Sequence, residues 1–158
     1  MDSREIPTLI AAILLCEFVG VLGSFFTFSE IPTWYASLAK PAFSPPGWVF
    51  APVWTTLYAL MGVSLYLIWK KGQEKAGIKL PLAIFGIQLS LNFLWSVFFF
   101  GLHSPFLGVI CIILLWLSIA AMLFSFYKIS RTAAYLLIPY LLWVSFASIL
   151  NAMFWMLN

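Results

Sequence analysis

Five uninterrupted apolar runs, each long enough to cross the hydrocarbon core of a bilayer, constrain this chain more than any other feature. A helical span needs about 20 apolar residues. Pro, Gly and charge clusters divide the sequence into runs at about 6–28, 47–69, 80–100, 105–127 and 132–157. These are too long for barrel strands, and they lack the two-residue alternation of a barrel wall. A helix satisfies its backbone internally where no water is present to do so. The expectation is an all-α integral membrane protein: a single domain of five transmembrane helices, with a long loop rich in Pro and aromatic residues between the first two.

Charge supports this reading. Only 8% of the 158 residues are charged, against about 25% in an ordinary soluble domain. That is too few to cover a water-exposed surface, and a net charge of +3 is too sparse for a nucleic-acid face. A soluble enzyme, a secreted disulfide scaffold and a disordered chain are excluded. The few bases are unevenly spread. If the N-terminus and the second and fourth loops share a side, it holds Arg4, Lys70, Lys71, Lys75, Lys79, Lys128 and Arg131, and the other side holds only Lys40. Loop charge therefore predicts a cytoplasmic N-terminus. The first run is not read as a cleavable signal, because acids flank Arg4 and four more runs follow.

The connections differ in length. About five residues around His103 join the third and fourth runs, which predicts antiparallel neighbours. The first loop, about 29–46, is far longer; it carries Trp34, Tyr35 and Phe43 to pack with and four prolines to stiffen it. Long ordered loops of this kind often act as lids.

Conventional catalytic chemistry is sparse. One His, one Asp and two Cys (Cys16 and Cys111) offer no metal-ligand spacing, and no phosphate loop or nucleophile elbow occurs. His103 reads either as a solvated turn residue or as an axial ligand to a porphyrin iron. Glu17, in the middle of the first run, costs about 2.5–3.5 kcal/mol to hold ionised at such depth. It reads either as a protonated or hydrogen-bonded group facing another helix, or as a proton or ligand site.

What the chain has in quantity is aromatic surface, with 8 Trp, 6 Tyr and 16 Phe. Trp69 beside Lys70 and Tyr127 beside Lys128 fit an interfacial belt. Trp54, Trp95 and Trp143 sit well inside their spans, where an indole N–H needs a partner. Gln88, Asn92, Trp95 and Phe99 share one helix face, as do Trp54 and Tyr58, and as do Trp143, Ala147, Leu150 and Asn151. Pro139 invites a kink in the last span. The amides read either as glue between helices or as the lining of a cavity under the first loop. Gly86 and Ser90 form a small-xxx-small pair suited to a homodimer contact or to internal packing.

Three stretches carry a specific likeness: Trp34-Tyr35-Ala36-Ser37-Leu38-Ala39-Lys40-Pro41, then Pro45-Pro46-x-Trp48, then Ala51-Pro52-Val53-Trp54-Thr55-Thr56-Leu57-Tyr58. Gln88-x-x-x-Asn92-x-x-Trp95, Phe99-Phe100-Gly101, Pro139-Tyr140-Leu141-x-Trp143-x-x-Phe146-Ala147 and Leu150-Asn151 continue it across nearly the whole chain. Together they resemble the translocator protein family, whose bacterial members are the tryptophan-rich sensory proteins. The resemblance implies a five-helix membrane protein that binds porphyrins such as protoporphyrin and haem, together with drug-like aromatic ligands, inside the bundle beneath the first loop.

By motif match it places Tyr35, Pro45, Trp54, Asn92, Trp95, Trp143, Ala147 and Leu150 on the ligand site, with Phe50, Ala51, Leu107 and Cys111 as looser candidates. Light-dependent porphyrin breakdown, implied for some bacterial members, would fall to Trp54 and Trp143. Lys40 and the indoles of Trp34 and Trp48 are candidate partners for porphyrin carboxylates at the aqueous rim. The expected role is a receptor or sensor in a bacterial cell membrane, needing no cofactor beyond its ligand. The alternative is a transporter of porphyrin or other hydrophobic molecules. The chain departs from the animal cholesterol motif: the end of the last helix has neither the Tyr nor the base that this motif needs.

Overall fold

The structure, a computed structural model, describes residues 5–72 and 77–158. Helix α1 (Glu5–Thr27) leads into the long loop, which contains one helical turn, α2 (Trp34–Ser37). A 3-10 turn at Gly47–Val49 opens α3 (Phe50–Gly72). Helix α4 (Lys79–Ser96) runs on through a π-helical turn at Val97–Gly101, and α5 (Pro105–Tyr127) follows after three residues. The last crossing is split into α6 (Arg131–Tyr135) and α7 (Ile138–Leu157).

Five stretches are long and apolar enough to span a membrane: Glu5–Thr27, Gly47–Gly72, Lys79–Gly101, Pro105–Tyr127 and Arg131–Leu157. Each lies within three residues of its sequence-based boundaries at both ends. The chain is thus the all-α membrane bundle that its apolar runs imply.

Local chemistry explains where the helices start and break. Ser104 caps α5 by accepting the Leu107 N–H at 3.3 Å, and Pro105 fills the first position, where an N–H has no helical partner. Ser130 caps α6 through the Ala133 N–H in the same way. Pro139 has no N–H to give the carbonyl four residues back, so the last crossing breaks at Leu136–Leu137 and restarts at Ile138. The expected kink is therefore a full interruption. The π turn closing α4 has no counterpart in the sequence reading.

Helix α1 packs on α3 and α4, α4 on α5, and α5 on α6 and α7, while α6 returns to α3. The third and fourth crossings are neighbours, as their short connection predicts. Leu14, Phe18, Ile113, Leu117, Leu142 and Ile149 point outward as lipid-facing positions. Gly86 and Ser90 also lie on this outer surface, with open space around Gly86, so the pair takes no part in packing inside the bundle.

The described basic residues other than Lys40 gather at one end, where Lys70 pairs with Glu5 at 2.5 Å. Arg4 and Lys75, counted in the charge asymmetry, lie outside the described residues.

Buried polar side chains bind the interior together. The Tyr58 hydroxyl donates to Asn92 Oδ1. Asn92 Nδ2 donates to Tyr140 Oη at 2.8 Å, and Tyr140 donates onward to Gln88 Oε1 at 2.9 Å. One continuous chain of hydrogen bonds thus ties α3, α4 and α7. Ser64 adds a bond to the Ala133 carbonyl at 2.8 Å, fixing α6 to α3. Gln88 accordingly serves as glue between helices.

Close approach of α1 and α3 depends on Gly62, where a Cβ would lie 2.8 Å from the Ile13 backbone nitrogen. Gly62→Ala should lower stability by about 1–3 kcal/mol, because backbone cannot yield as a flexible side chain can. Thermal unfolding in detergent measures this. Gly86→Ala, which meets nothing within 4 Å, should leave the midpoint unchanged or slightly raised.

Candidate functional site

The long loop folds down as a lid held at both ends. Near its start, Glu30 Oε2 lies 2.8 Å from His103 Nε2 in the turn after α4. The His103 ring stacks on Trp34 at 4.7 Å and 18°. His103 adopts φ 51°, in the left-handed region that this tight turn requires. It is a turn residue as expected, but it works as a clasp. At the far end of the lid, the Asn158 side chain accepts the Ala39 N–H at 2.9 Å and donates to the Ala39 carbonyl at 3.2 Å.

Lys40, a candidate partner at the rim, is engaged within the lid. Its ammonium donates to the Tyr35 and Ala36 carbonyls at 2.8 and 3.1 Å and sits 4.9 Å above the Tyr35 ring. It closes the α2 turn and does not line the space beneath. Trp34 is likewise engaged, meeting Phe99 and Phe100 edge-on.

Under the lid, Tyr35 plunges into the bundle beside Phe50, Phe100 and Phe154. Below it is a small cavity of about 80 Å³. Tyr35, Phe50, Trp54, Trp95, Trp143, Ala147 and Leu150 line it, bringing together residues from the lid, α3, α4 and α7. It adjoins a larger groove of about 630 Å³ that opens between α1 and α3 and shares Thr27, Ile31, Phe50, Trp54 and Trp95 with it. Ala51 and Asn92 line this groove, and Trp48, 75% exposed, stands at its mouth. The combined space lies within the range of small-molecule sites, about 300–1,000 Å³.

The three deep indoles behave differently. Trp95 stacks on Phe99 at 5.2 Å and 17°, and its N–H donates to Asn151 Oδ1 at 2.9 Å. Asn151 in turn donates to the Pro105 carbonyl at 2.9 Å, which holds that wall rigid. Trp54 leans on Tyr58 and meets Tyr140 edge-on. Trp143 packs on Phe50 and Phe146, and its buried N–H has no partner among the described residues. The buried hydroxyls of Tyr35 and Ser44 lie close to one another. Burial holds the Tyr35 phenol above its ordinary range, and the nearby Ser44 hydroxyl opposes that shift without cancelling it.

Three sequence candidates stand apart from these spaces. Pro45 is half-buried in the lid and lines neither of them. Leu107 lies on the exposed side of α5, and Cys111 is buried with its thiol against the Leu91 carbonyl at 3.4 Å. Helix α5 contributes no residue to either wall because α4 and α7 stand between. Conversely, Thr27, Ile31, Phe100 and Phe154 line the small cavity without having been singled out as ligand positions. Nothing in local sequence distinguishes Thr27 or Ile31. Asn151 was legible from its shared face with Trp143 and Ala147.

Comparison with known proteins gives a consistent result. The TspO/MBR family model matches residues 12–156. The chain is 43% identical over 156 residues to the tryptophan-rich protein TspO of Chlorobaculum tepidum, covering 99% of each. It is 45% identical to the protein of the same name from Archaeoglobus fulgidus, covering 98% of this chain and 99% of that one. It is 40% identical to the translocator protein of Bos taurus, over 92% of this chain and 86% of that one.

Two outcomes test the geometry. Tyr140→Phe leaves Gln88 Oε1 and Asn92 Nδ2 without their partner, so it should cost about 1–3 kcal/mol in thermal unfolding. The second concerns pH. With the Tyr35 phenol raised in the folded state, the unfolded chain loses that proton first, so stability present below about pH 10 falls as pH rises further. Melting curves across that window should show the fall, and Tyr35→Phe should make it shallower.

Proposed function

The chain belongs to the TspO/MBR family, and from that premise we propose that it is a membrane receptor or sensor binding porphyrins and related flat aromatic molecules. The observation that carries this is the convergence of three indoles on one cavity, with the Trp143 N–H left without a partner. An unpaired buried donor costs about 1–3 kcal/mol, and a ligand acceptor at that point would recover it. A macrocycle presents broad π faces to Trp54, Trp95 and Trp143, and each good aromatic contact adds about 0.5–1.5 kcal/mol beyond burial. Trp48 at the groove mouth is the rim donor available to a porphyrin carboxylate.

Photo-oxidative breakdown of bound porphyrin, which uses light and oxygen, falls to Trp54 and Trp143 as the indoles of the wall. Transport is less favoured. The hydrogen-bonded chain Tyr58–Asn92–Tyr140–Gln88 crosses the interior below the cavity and obstructs a continuous path toward the basic end. By the loop-charge rule that basic end faces the cytoplasm of a bacterial cell, which turns the lid to the opposite side.

The test is spectroscopic titration of the purified protein with protoporphyrin, in the dark and under illumination. Trp54→Leu with Trp143→Leu removes two π faces and should weaken binding by about five- to a hundredfold. Unchanged affinity and unchanged photochemistry would contradict the assignment.

A further inference from the structure

Glu17 is not absorbed by the porphyrin reading. It lies at the middle of α1, and Glu17, Gly20, Val21, Ser24, Thr27 and Phe28 recur at helical spacing along one face. That face forms one wall of the groove. From Glu17 to Thr27 the wall runs about 15 Å at helical rise. Gly20 lets the Tyr58 ring lie directly against α1, since a Cβ there would collide with the ring, and Tyr58 also lines the groove beside Glu17.

Apart from Trp48 at the mouth and the Ser96 hydroxyl, the other polar groups on the walls already have partners. The Ser24 hydroxyl donates to the Val21 carbonyl at 2.6 Å, and Thr55 donates to the Ala51 carbonyl at 3.0 Å. Tyr58 is bonded to Asn92, Asn92 to Tyr140, and Trp95 to Asn151. Glu17 has no hydrogen-bond or ion-pair partner among the described residues. Among the described residues it is also the one charged side chain on the groove, and no Lys or Arg of that set lines it. A carboxyl at this depth with no partner is a costly feature unless something else supplies one.

We propose that Glu17 makes the groove a site for flat apolar amines, its carboxyl pairing with a basic nitrogen carried at the edge of an aromatic body. Acid and base enter the low-dielectric groove as a pair that is neutral overall, whichever atom holds the shared proton, so no net charge is buried. The aromatic body lies along the apolar wall toward Trp54, Trp95 and Phe50. The same group disfavours carboxylates nearby, which turns the acidic edge of a porphyrin toward the groove mouth, away from Glu17. This inference rests on the reading of the aromatic space as a ligand site, and it adds a preference set by charge.

The experiment compares naphthylmethylamine with naphthylmethanol, which share a ring and differ in the polar group, by titration calorimetry in detergent with empty micelles subtracted. Wild type should bind the amine about tenfold or more tightly than the alcohol, the scale of one charge-assisted hydrogen bond. Glu17→Gln should abolish that preference, weakening the amine far more than the alcohol. Glu17→Ala serves as a second variant without a carboxyl, and the melting curve shows that each is folded. An amine preference that survives in either folded variant, or is absent from wild type, overturns the proposal. Protoporphyrin titrated in parallel separates the two readings: an amine preference without porphyrin binding removes the porphyrin assignment alone, and porphyrin binding without an amine preference removes this one alone.

Discussion

The hydrocarbon core of a bilayer holds no water, so each polar group at depth must find its partner within the protein. This constraint organises the molecule. It makes every crossing a helix, and it makes the few interior polar side chains meet. Tyr58, Asn92, Tyr140 and Gln88 join into one hydrogen-bonded chain across three helices. Each bond is modest, about 0.6 kcal/mol on average between membrane helices, but together they set which faces of α3, α4 and α7 point inward. The same constraint gives meaning to the exception. Trp143 Nε1 is buried with no partner among the described residues, and Trp143 stands on the wall of the cavity.

The lid is built on different physics. Outside the hydrocarbon region the chain can use exposed polar contacts, and it fastens the first loop with a Glu30–His103 pair at one end and an Asn158–Ala39 bridge at the other. Exposed pairs of this kind contribute little to stability, so the clasp sets position more than it adds strength. The apolar interior of the lid holds more firmly: Tyr35 is buried among Phe50, Phe100 and Phe154. A lid seated by a buried ring and fastened by weak exposed contacts suits the proposed ligand cavity.

Much of this was legible in the sequence because a bilayer leaves few alternatives. Length and hydropathy placed all five crossings, and Pro139 marked the break in the last. The period of an α-helix placed Gln88, Asn92, Trp95 and Phe99 on one face, and that face holds both the hydrogen-bonded chain and part of the cavity. The motif likeness brought Tyr35, Trp54, Trp95, Trp143, Ala147 and Leu150 to a single space. Leu107 and Cys111 lie away from that space, because α5 stands behind α4 and α7, and that order around the bundle is a long-range property with no local signal. The task of Lys40 was hidden for a similar reason: its carbonyl partners exist only once α2 has formed. The α1 wall of the groove was present as spacing from Glu17 to Phe28 but could not be read without knowing that α3 leaves a gap beside it.

The central claim is that the deep indoles hold a guest, and indole N–H resonances report on this one ring at a time. Trp116 provides the internal reference, since its N–H is already bonded to Ser145 Oγ at 2.8 Å and lines neither space. On titration with protoporphyrin in detergent, the Trp143 and Trp54 indole signals should shift strongly while that of Trp116 stays in place. Signals that all move together by small amounts, or a shift of Trp116 with Trp143 unmoved, would show that the macrocycle associates with the outer surface and that the cavity is not its site.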